Sequence, residues 1–198
     1  MDFTVTLPDW AEAELRALPG RLPTLEDRMR AVIRFSLLNF ERGTGGPFAA
    51  GVFERDTGRC VVLGVNRVVP CGCSSAHAEV TALSLAQRLL GTFDLGQPGL
   101  PAHQLVVNWR PCAMCYGATL WSGVKSLVVA GSGPELEAIT GFDEGPIHPQ
   151  WRRELERRGL EVVDGLLREE ALAVFRDFAA SGALVYNAGG GGRRDPGA

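Results

Sequence analysis

Two short stretches, H-A-E at residues 77–79 and P-C-A-M-C at residues 111–115, decide how the rest of this chain is interpreted. They supply one imidazole and two thiols, from His77, Cys112 and Cys115, and these are donors that Zn²⁺ accepts. Three protein ligands leave a fourth position for water, and that open position distinguishes a catalytic zinc site from a structural one. The two motifs together therefore indicate a zinc-dependent hydrolase.

Each motif is predicted to lie at the start of a helix. Ser74 and Ser75 can act as N-caps ahead of an apolar periodic run, so we expect a helix to begin near Ala76. Pro111 suits the first position of a second helix, which would place the two motif cysteines, three residues apart, on one face. The positive end of the helix dipole favours thiolates at that position.

Glu79 lies two residues after the motif histidine and is a candidate proton carrier beside the water. The alternative is that it merely caps the start of its helix. A capping box needs a serine or threonine three residues earlier, and that position holds Ala76. We therefore favour the catalytic interpretation of Glu79.

Length, charge and cysteine content limit the class of protein. At 198 residues the chain is predicted to form one domain over residues 1–187, followed by a flexible glycine-rich tail over 188–198. We expect a cytoplasmic protein with no membrane segment, because no secretion signal or long apolar run is found, and its five cysteines are expected to be reduced. The net charge of -3 argues against nucleic acid as a partner.

The order of the predicted elements indicates an α/β fold. An opening hairpin followed by alternating strands and helices predicts a mixed sheet flanked by helices. His103 and His148 lie in loop-like stretches and are expected at the surface, whereas Cys60, Cys71 and Cys73 are expected to be buried. Strands are predicted over residues 48–54, 60–68, 105–108, 125–130 and 160–163, and further helices over 9–18, 24–42, 135–139 and 168–180.

The pattern H-x-E followed by P-C-x-x-C resembles the signature of the zinc-dependent cytidine deaminase superfamily. Within that superfamily the chain looks most similar to the bacterial guanine deaminase branch, including enzymes that also accept the triazine ammeline. This resemblance extends from about Gly45 to Asn187. The segments that carry it are G-G-P-F-A-A at 45–50, G-V-N-R-V-V-P at 64–70, G-F-D-E-G-P at 141–146 and L-V-Y-N at 184–187.

The resemblance implies a three-layer α/β/α sandwich, Zn²⁺ as the cofactor, and hydrolytic deamination of a free base, guanine to xanthine and ammonia. It also implies roles for individual residues. Asn66 would hydrogen-bond the base, while Phe48 and Trp121 would form flat apolar walls. Glu144, or its neighbour Asp143, would be the second carboxylate that relays a proton to the departing amine.

The C-terminal part of the resemblance concerns Tyr186. It would lie on a segment that closes the pocket, and in some relatives this segment closes the pocket of the partner subunit. A homodimer with exchanged C-terminal segments is therefore implied.

One departure from the superfamily pattern concerns the two residues before Pro111. A glutamate often precedes this proline, but here Trp109 and Arg110 do. Arg110 either points outward or pairs with an acidic residue near the pocket, and the departure bears on the substrate more than on the reaction type.

Three other functions remain open at the level of sequence. The chain could deaminate another heterocycle, such as cytosine, a pterin, an s-triazine or a nucleoside, or it could act on a flipped adenosine of tRNA. It could also be a structural zinc module, in which Cys71 or Cys73 fills the fourth ligand position.

Overall fold

The computed structural model describes residues 4–187, and the predicted tail at 188–198 lies outside the described residues. Five strands form one mixed sheet in the order β2-β1-β3-β4-β5. β1 pairs antiparallel with β2 and β3, whereas β3, β4 and β5 run parallel. The strands are β1 (Ala49–Glu54), β2 (Cys60–Val65), β3 (His103–Val107), β4 (Ser126–Val129) and β5 (Glu161–Asp164).

Helices cover both faces of this sheet. Side chains that alternate along β3 and β4 enter two separate cores: Val106 and Val128 pack with the helices of one face, and Leu105 and Leu127 with those of the other. The predicted three-layer α/β/α sandwich is therefore confirmed. The helices are α1 (Asp9–Ala17), α2 (Leu25–Glu41), α3 (Val68–Cys71), α4 (Ala78–Leu90), α5 (Ala113–Trp121), α6 (Glu135–Thr140), α7 (Trp151–Glu156) and α8 (Arg168–Ser181).

The layers follow from the cores just described. α1, α2, α6 and α8 pack around the first core, which contains Phe35, Phe175 and Phe178, all of them almost completely buried. α4, α5 and α7 pack on the opposite face of the sheet. Within residues 4–187, no helix is long and apolar enough to cross a membrane.

Local sequence signals account for several element boundaries. The Thr24 hydroxyl accepts a hydrogen bond from the backbone N–H of Asp27 at 3.1 Å and caps α2, as predicted. α4 ends at Gly91, which has a left-handed backbone that glycine adopts without strain. Gly91 thus sets the C-terminal boundary of the helix that carries the first motif.

Two expectations about burial are wrong. His103 is the first residue of β3 and is completely buried, with its Nδ1 atom 2.8 Å from the backbone oxygen of Leu95. The strand begins two residues earlier than predicted and so carries this histidine into the interior. Cys60, Cys71 and Cys73 are only partly buried; the latter two flank Gly72, which ends α3 in a left-handed conformation.

Candidate active site

The first motif lies at the junction of β2 and α4. His77 has extended backbone angles and occupies the N-cap position, so α4 begins at Ala78, two residues later than predicted. Gly64 of β2 packs directly against this helix: an added Cβ there would lie 2.5 Å from the backbone nitrogen of Ala82. The close approach fixes the depth at which His77 and Glu79 enter the molecule.

The second motif lies at the start of α5, after β3. Cys112 has extended backbone angles and is the N-cap residue, and Cys115 lies in the first turn. α5 therefore begins at Ala113, two residues after the position predicted from Pro111. The expected juxtaposition of the two thiols at a helix N-terminus is nevertheless present.

The two helix starts bring the three ligand candidates together. Donor atoms of His77, Cys112 and Cys115 all lie within 4.8 Å of one another. The Sγ atom of Cys112 is 3.5 Å from Nδ1 of His77. Neither Cys71 nor Cys73 belongs to this group, so the arrangement within residues 4–187 is the three-ligand one and not a closed four-ligand site.

The electrostatics of this group fit a cation. The hydrogen bond from Cys115 lowers the pKa of Cys112 to about 4, with a further contribution from His77. The same thiol–thiol contact, together with burial, raises the pKa of Cys115 well above its usual value. Two thiols this close can both ionise only beside a positive charge, and one nitrogen with two sulfurs is a donor set that suits Zn²⁺.

Two buried carboxyl groups lie beside the ligand group. Burial raises the pKa of Glu79 to about 7, and the charge of Cys112 adds to the shift. Burial likewise raises the pKa of Glu144 to about 8, with additional contributions from Cys112 and Glu79, against which the positive charge of Arg110 acts. Both groups can therefore take up and release a proton near neutral pH.

The backbone around Glu144 is held from two sides. Its N–H donates to the Glu137 carboxylate of α6 at 3.3 Å, and its carbonyl oxygen accepts from the N–H of Ala113 at 3.0 Å. Asp143 is exposed, and its carboxylate accepts from the N–H of Gly145 at 2.8 Å. The structure thus places Glu144 at the centre of the site, with Asp143 at its rim.

A cavity of about 430 Å³ opens over these groups. Phe48, Phe142 and Tyr186 form an aromatic wall, in which the Phe142 ring lies 5.1 Å from each of the other two rings. A flat ring fits such a wall by stacking or by edge contacts. The remaining lining residues include Asn66, Val68, Ser74, Val107, Trp109, Arg110 and Met114.

Asn66 is almost fully buried at the cavity wall and is held by several hydrogen bonds. Its amide nitrogen donates to the Tyr186 hydroxyl, and its side-chain oxygen accepts from the N–H of Val68 at 3.3 Å. The buried Asn39 of α2 donates to the backbone oxygen of Asn66 at 2.9 Å and to that of Gly46 at 2.8 Å. The amide of Asn66 is thereby oriented before any ligand arrives.

The C-terminal segment closes the cavity of its own chain. Tyr186 lines the cavity, and the Asn187 side chain accepts from the N–H of Asp143 at 3.0 Å and donates to the oxygen of Gly141 at 2.9 Å. Burial raises the pKa of the Tyr186 phenol, so it remains a neutral hydrogen-bonding group. Within residues 4–187 the pocket thus includes Tyr186 of the same chain, and exchange of this segment between subunits stays a prediction.

Trp121 does not line this cavity within residues 4–187, and its predicted role as a flat apolar wall stays a prediction. Trp121 is the last residue of α5 and is 87% exposed, outside the cavity. Because residue type alone does not tell which face of a helix an aromatic occupies, the sequence could not make this distinction. Phe142 takes the expected place beside Phe48.

Sequence reasoning also missed the residues that support the site from behind. Asn39 and Asn108 are fully buried amides; Asn108 donates to the oxygen of Pro47 at 3.0 Å and accepts from the N–H of Ala49 at 3.0 Å. Asn39 lies on the buried face of a helix, where an isolated amide is the one available signal. Phe142 and Glu137 lay in or near quoted segments but carried no signal of their own.

The fold and site together define a class. Residues 25–131 match the model of the cytidine and deoxycytidylate deaminase zinc-binding region, and the chain belongs to this family of zinc-dependent hydrolytic deaminases. The predicted superfamily and the zinc cofactor are both confirmed.

More specific similarities lead to guanine deaminases. The structure of guanine deaminase from Nitrosomonas europaea is 47% identical, with a TM-score of 0.85 over 90% of this chain and 97% of that one. A complex of the Nitrosomonas enzyme with 2,6-diaminopurine is 48% identical and gives a TM-score of 0.86, over 93% of this chain and 96% of that one. Guanine deaminase from Bacillus subtilis is 30% identical over 156 residues, which span 78% of this chain and 95% of that protein.

Proposed function

We propose that this chain hydrolyses the 2-amino group of guanine, consuming one water and releasing xanthine and ammonia. The observation that carries this proposal is the pair of buried carboxyl groups, Glu79 and Glu144, beside the His77–Cys112–Cys115 group. Both face a cavity with an aromatic wall. Similarity to guanine deaminases from two bacteria supports the choice of base.

The chemistry requires a nucleophile and two proton transfers. When bound by the three ligands, Zn²⁺ makes water available as a nucleophile at neutral pH by lowering its pKa to about 7. Glu79 accepts the proton of that water and delivers it to a ring nitrogen, which makes the amino-bearing carbon electrophilic. The water oxygen adds to that carbon. Glu144 then donates a proton to the departing amine and takes up the proton of the added hydroxyl group, so that ammonia leaves and the carbonyl group of xanthine forms.

The cavity residues hold the base for these transfers. The oriented Asn66 amide hydrogen-bonds a polar edge of the ring, and Phe48 and Phe142 cover its flat apolar surface. Burial excludes bulk water and places the pKa of each carboxyl near neutral pH, so that each group can both take up and release a proton. Ammeline, which also joins an amino group to a planar ring, is a second candidate substrate.

Glu79→Gln tests the assignment of the proton carrier. The amide has the same shape but cannot accept the proton, and general acid–base catalysis is typically worth about 10²–10⁴-fold in rate. We expect ammonia release from guanine to fall by at least that factor while zinc content and melting temperature stay unchanged. Retention of activity within a few fold would show that another group carries the proton, and an inactive parent protein would reject guanine as the substrate.

We further propose that the chain forms a homodimer through the exposed face of α5. This helix, A-M-C-Y-G-A-T-L-W, is apolar all round, yet within it only Cys115 and Thr119 are buried. Met114 and Trp121 are 39% and 87% exposed. An apolar helix is normally covered, and a second copy presenting the same face would cover it.

Light scattering after gel filtration tests this interface. We expect a dimer for the parent chain and a monomer for Trp121→Asp, because a charge at the centre of an apolar contact is costly to bury. Phe93→Asp is a matched control, since Phe93 is equally exposed but lies in a loop after α4. A monomeric parent chain would rule out the dimer, and a dimeric Trp121→Asp variant would move the interface elsewhere.

The state of the cysteine thiols concerns the cellular compartment in which the protein functions. All five cysteines lie within the described residues, and none forms a disulfide. A reducing compartment such as the cytoplasm maintains free thiols, including the two that serve as metal ligands. This supports a cytoplasmic location for the protein.

A further inference from the structure

Arg110 places a permanent positive charge in the wall of the active-site cavity. The residue is held between the buried side chains of Trp109 and Pro111, and its backbone N–H donates to the oxygen of Gly131 at 2.8 Å. It is near enough to Glu144 to act on it electrostatically. The guanidinium therefore belongs to the site and does not point away from it.

The guanidinium of Arg110 has unused hydrogen-bonding capacity. Its Nε atom is buried without a hydrogen-bond partner, and within residues 4–187 the two Nη atoms, which are not fully buried, make no hydrogen bond or ion pair and remain available to a ligand. A buried donor without an acceptor is unfavourable, and native proteins rarely keep one without a reason. Neither of the two predicted alternatives, an outward orientation or an ion pair, describes this residue.

Arg28 shows how the chain treats an arginine whose role is structural. It is 3% exposed, and its donors reach the backbone oxygens of Leu22, Pro23 and Arg55 and the side chain of Gln104, at 2.8–3.2 Å. Arg110 has no such set of protein acceptors. The difference suggests that the missing acceptor of Arg110 comes from a ligand in the cavity.

We propose that Arg110 is a specificity-determining residue that donates a hydrogen bond to a carbonyl oxygen of the substrate ring. A guanidinium has five donors and no acceptor, so it rejects an amino group at the position where it accepts a carbonyl. The favoured substrates are thus aminated rings that also carry an oxo group, and rings with amino groups alone are disfavoured. This inference rests on the proposed base deamination and adds the choice among bases.

Guanine and 2,6-diaminopurine form a matched pair for the test. Both carry the 2-amino group, and they differ at position 6, where guanine has an oxygen and 2,6-diaminopurine an amino group. Charge-assisted hydrogen bonds are about twice as strong as neutral ones. We therefore expect Arg110→Gln to reduce the ratio of kcat/KM for guanine over 2,6-diaminopurine roughly ten- to hundredfold. Arg110→Lys keeps the positive charge but loses the planar set of guanidinium N–H donors, and it should give an intermediate ratio of the two kcat/KM values.

A binding measurement makes the test independent of turnover. Xanthine carries two carbonyl oxygens, and its dissociation constant, measured by calorimetry on the zinc-loaded protein, should rise about as much in Arg110→Gln as the kinetic ratio falls. Arg176→Gln is the control: Arg176 lies on α8 at the surface, paired with Glu169 at 3.2 Å, and should leave both values unchanged. Melting temperatures establish that each variant is folded.

The outcomes separate the two proposals. If the parent protein does not deaminate guanine, the proposed function fails, and xanthine binding alone then decides the role of Arg110. If the parent is active but Arg110→Gln leaves the kinetic ratio and xanthine affinity within about threefold, Arg110 does not read the substrate. A fall in guanine and 2,6-diaminopurine turnover by the same factor would also overturn the proposal.

Discussion

Replacing Gly64 by alanine tests how the sheet positions the catalytic helix. Gly64 has ordinary backbone angles, so alanine introduces no strain of its own. The added Cβ would, however, lie 2.5 Å from the nitrogen and 2.9 Å from the Cα of Ala82, and 2.8 Å from the oxygen of Ala78. These are rigid backbone atoms of α4, the helix that begins directly after His77.

The size of the effect follows from these distances. Carbon atoms in contact prefer about 3.5–4.0 Å, so α4 has to move away from β2 by about 1 Å. Overpacking of this kind costs about 1–3 kcal/mol, and for 150–250 residues each kcal/mol lowers the melting temperature by about 2–4 °C. A misplacement of about 1 Å at a catalytic group can also reduce the rate about 10²-fold.

The assay combines thermal unfolding with ammonia release. We expect Gly64→Ala to melt about 2–12 °C below the parent protein and to lose about two orders of magnitude in kcat/KM, since His77 and Glu79 move with α4. Gly20→Ala is the control, because an added Cβ there meets nothing within 4 Å. The reasoning is refuted if Gly64→Ala matches Gly20→Ala in both melting temperature and activity.

Three further perturbations follow from other parts of the structure. Glu54 accepts hydrogen bonds from Arg59 at 2.7 Å and from Thr57 at 2.5 Å, which lower its pKa. Its ionised form therefore stabilises the fold above the unfolded-state pKa, and this contribution is lost as pH falls through the lower folded-state value. Glu54→Gln should reduce the free energy of unfolding, measured with urea, by about 1–3 kcal/mol at pH 7. The difference between the parent protein and this variant should become smaller at acidic pH, and a difference that stays constant would contradict the assignment. Asn39→Ala leaves the backbone oxygen of Asn66 without a donor, whereas the oxygen of Gly46 keeps the N–H of Phe48 at 2.8 Å. We expect a loss of about 1–3 kcal/mol in urea unfolding and a raised KM, and an unchanged KM would show that Asn66 is oriented without Asn39. Removing zinc with a chelator should lower the melting temperature, because the metal joins the starts of α4 and α5. A bound ligand such as Zn²⁺, at 1,000 times its Kd, stabilises the folded state by about 4.1 kcal/mol. Re-addition of Zn²⁺ should restore the melting temperature.

The ligand group could be predicted from the sequence because each of its parts is local. His77 and Glu79 are two residues apart, and Cys112 and Cys115 are three apart, so a helix start is enough to bring each pair to one place. The order of the strands and of most helices was predicted within a few residues for the same reason, but α3 was missed: residues 60–68 were predicted as one strand, whereas β2 ends at Val65 and α3 begins at Val68. Both motif helices nevertheless begin two residues later than predicted. Ser75 and Pro111 predict earlier starts, but the N-cap positions are occupied by His77 and Cys112 themselves.

The burial and orientation of individual side chains could be predicted less well from the sequence. His103 follows a proline-containing loop in sequence, but pairing with β1 and β4 extends its strand, and pairing depends on residues far along the chain. The position of Phe142 inside the cavity and of Trp121 outside it was not predicted for a similar reason. Which aromatic ring faces the cavity depends on how the 141–146 segment packs against α8, where Phe142 stacks on Phe178, and no local pattern records that packing.

The site residues that local sequence predicts and those that it does not predict have different roles in the site. In the proposed function the zinc ligands and Glu79 carry out the hydrolysis, and their geometry is set within single turns of α4 and α5. The base would instead be held by Asn66, Phe142 and Tyr186, which come from a loop after β2, a loop after α6 and the C-terminal segment. Contacts such as the hydrogen bond from Asn66 to Tyr186 join these segments to one another, and none of the three carries a zinc ligand, so substitutions in them can alter the pocket while the three ligands keep their places. Arg110 is the exception: it directly precedes the second motif, so a change of specificity there would act through the same backbone that carries Cys112.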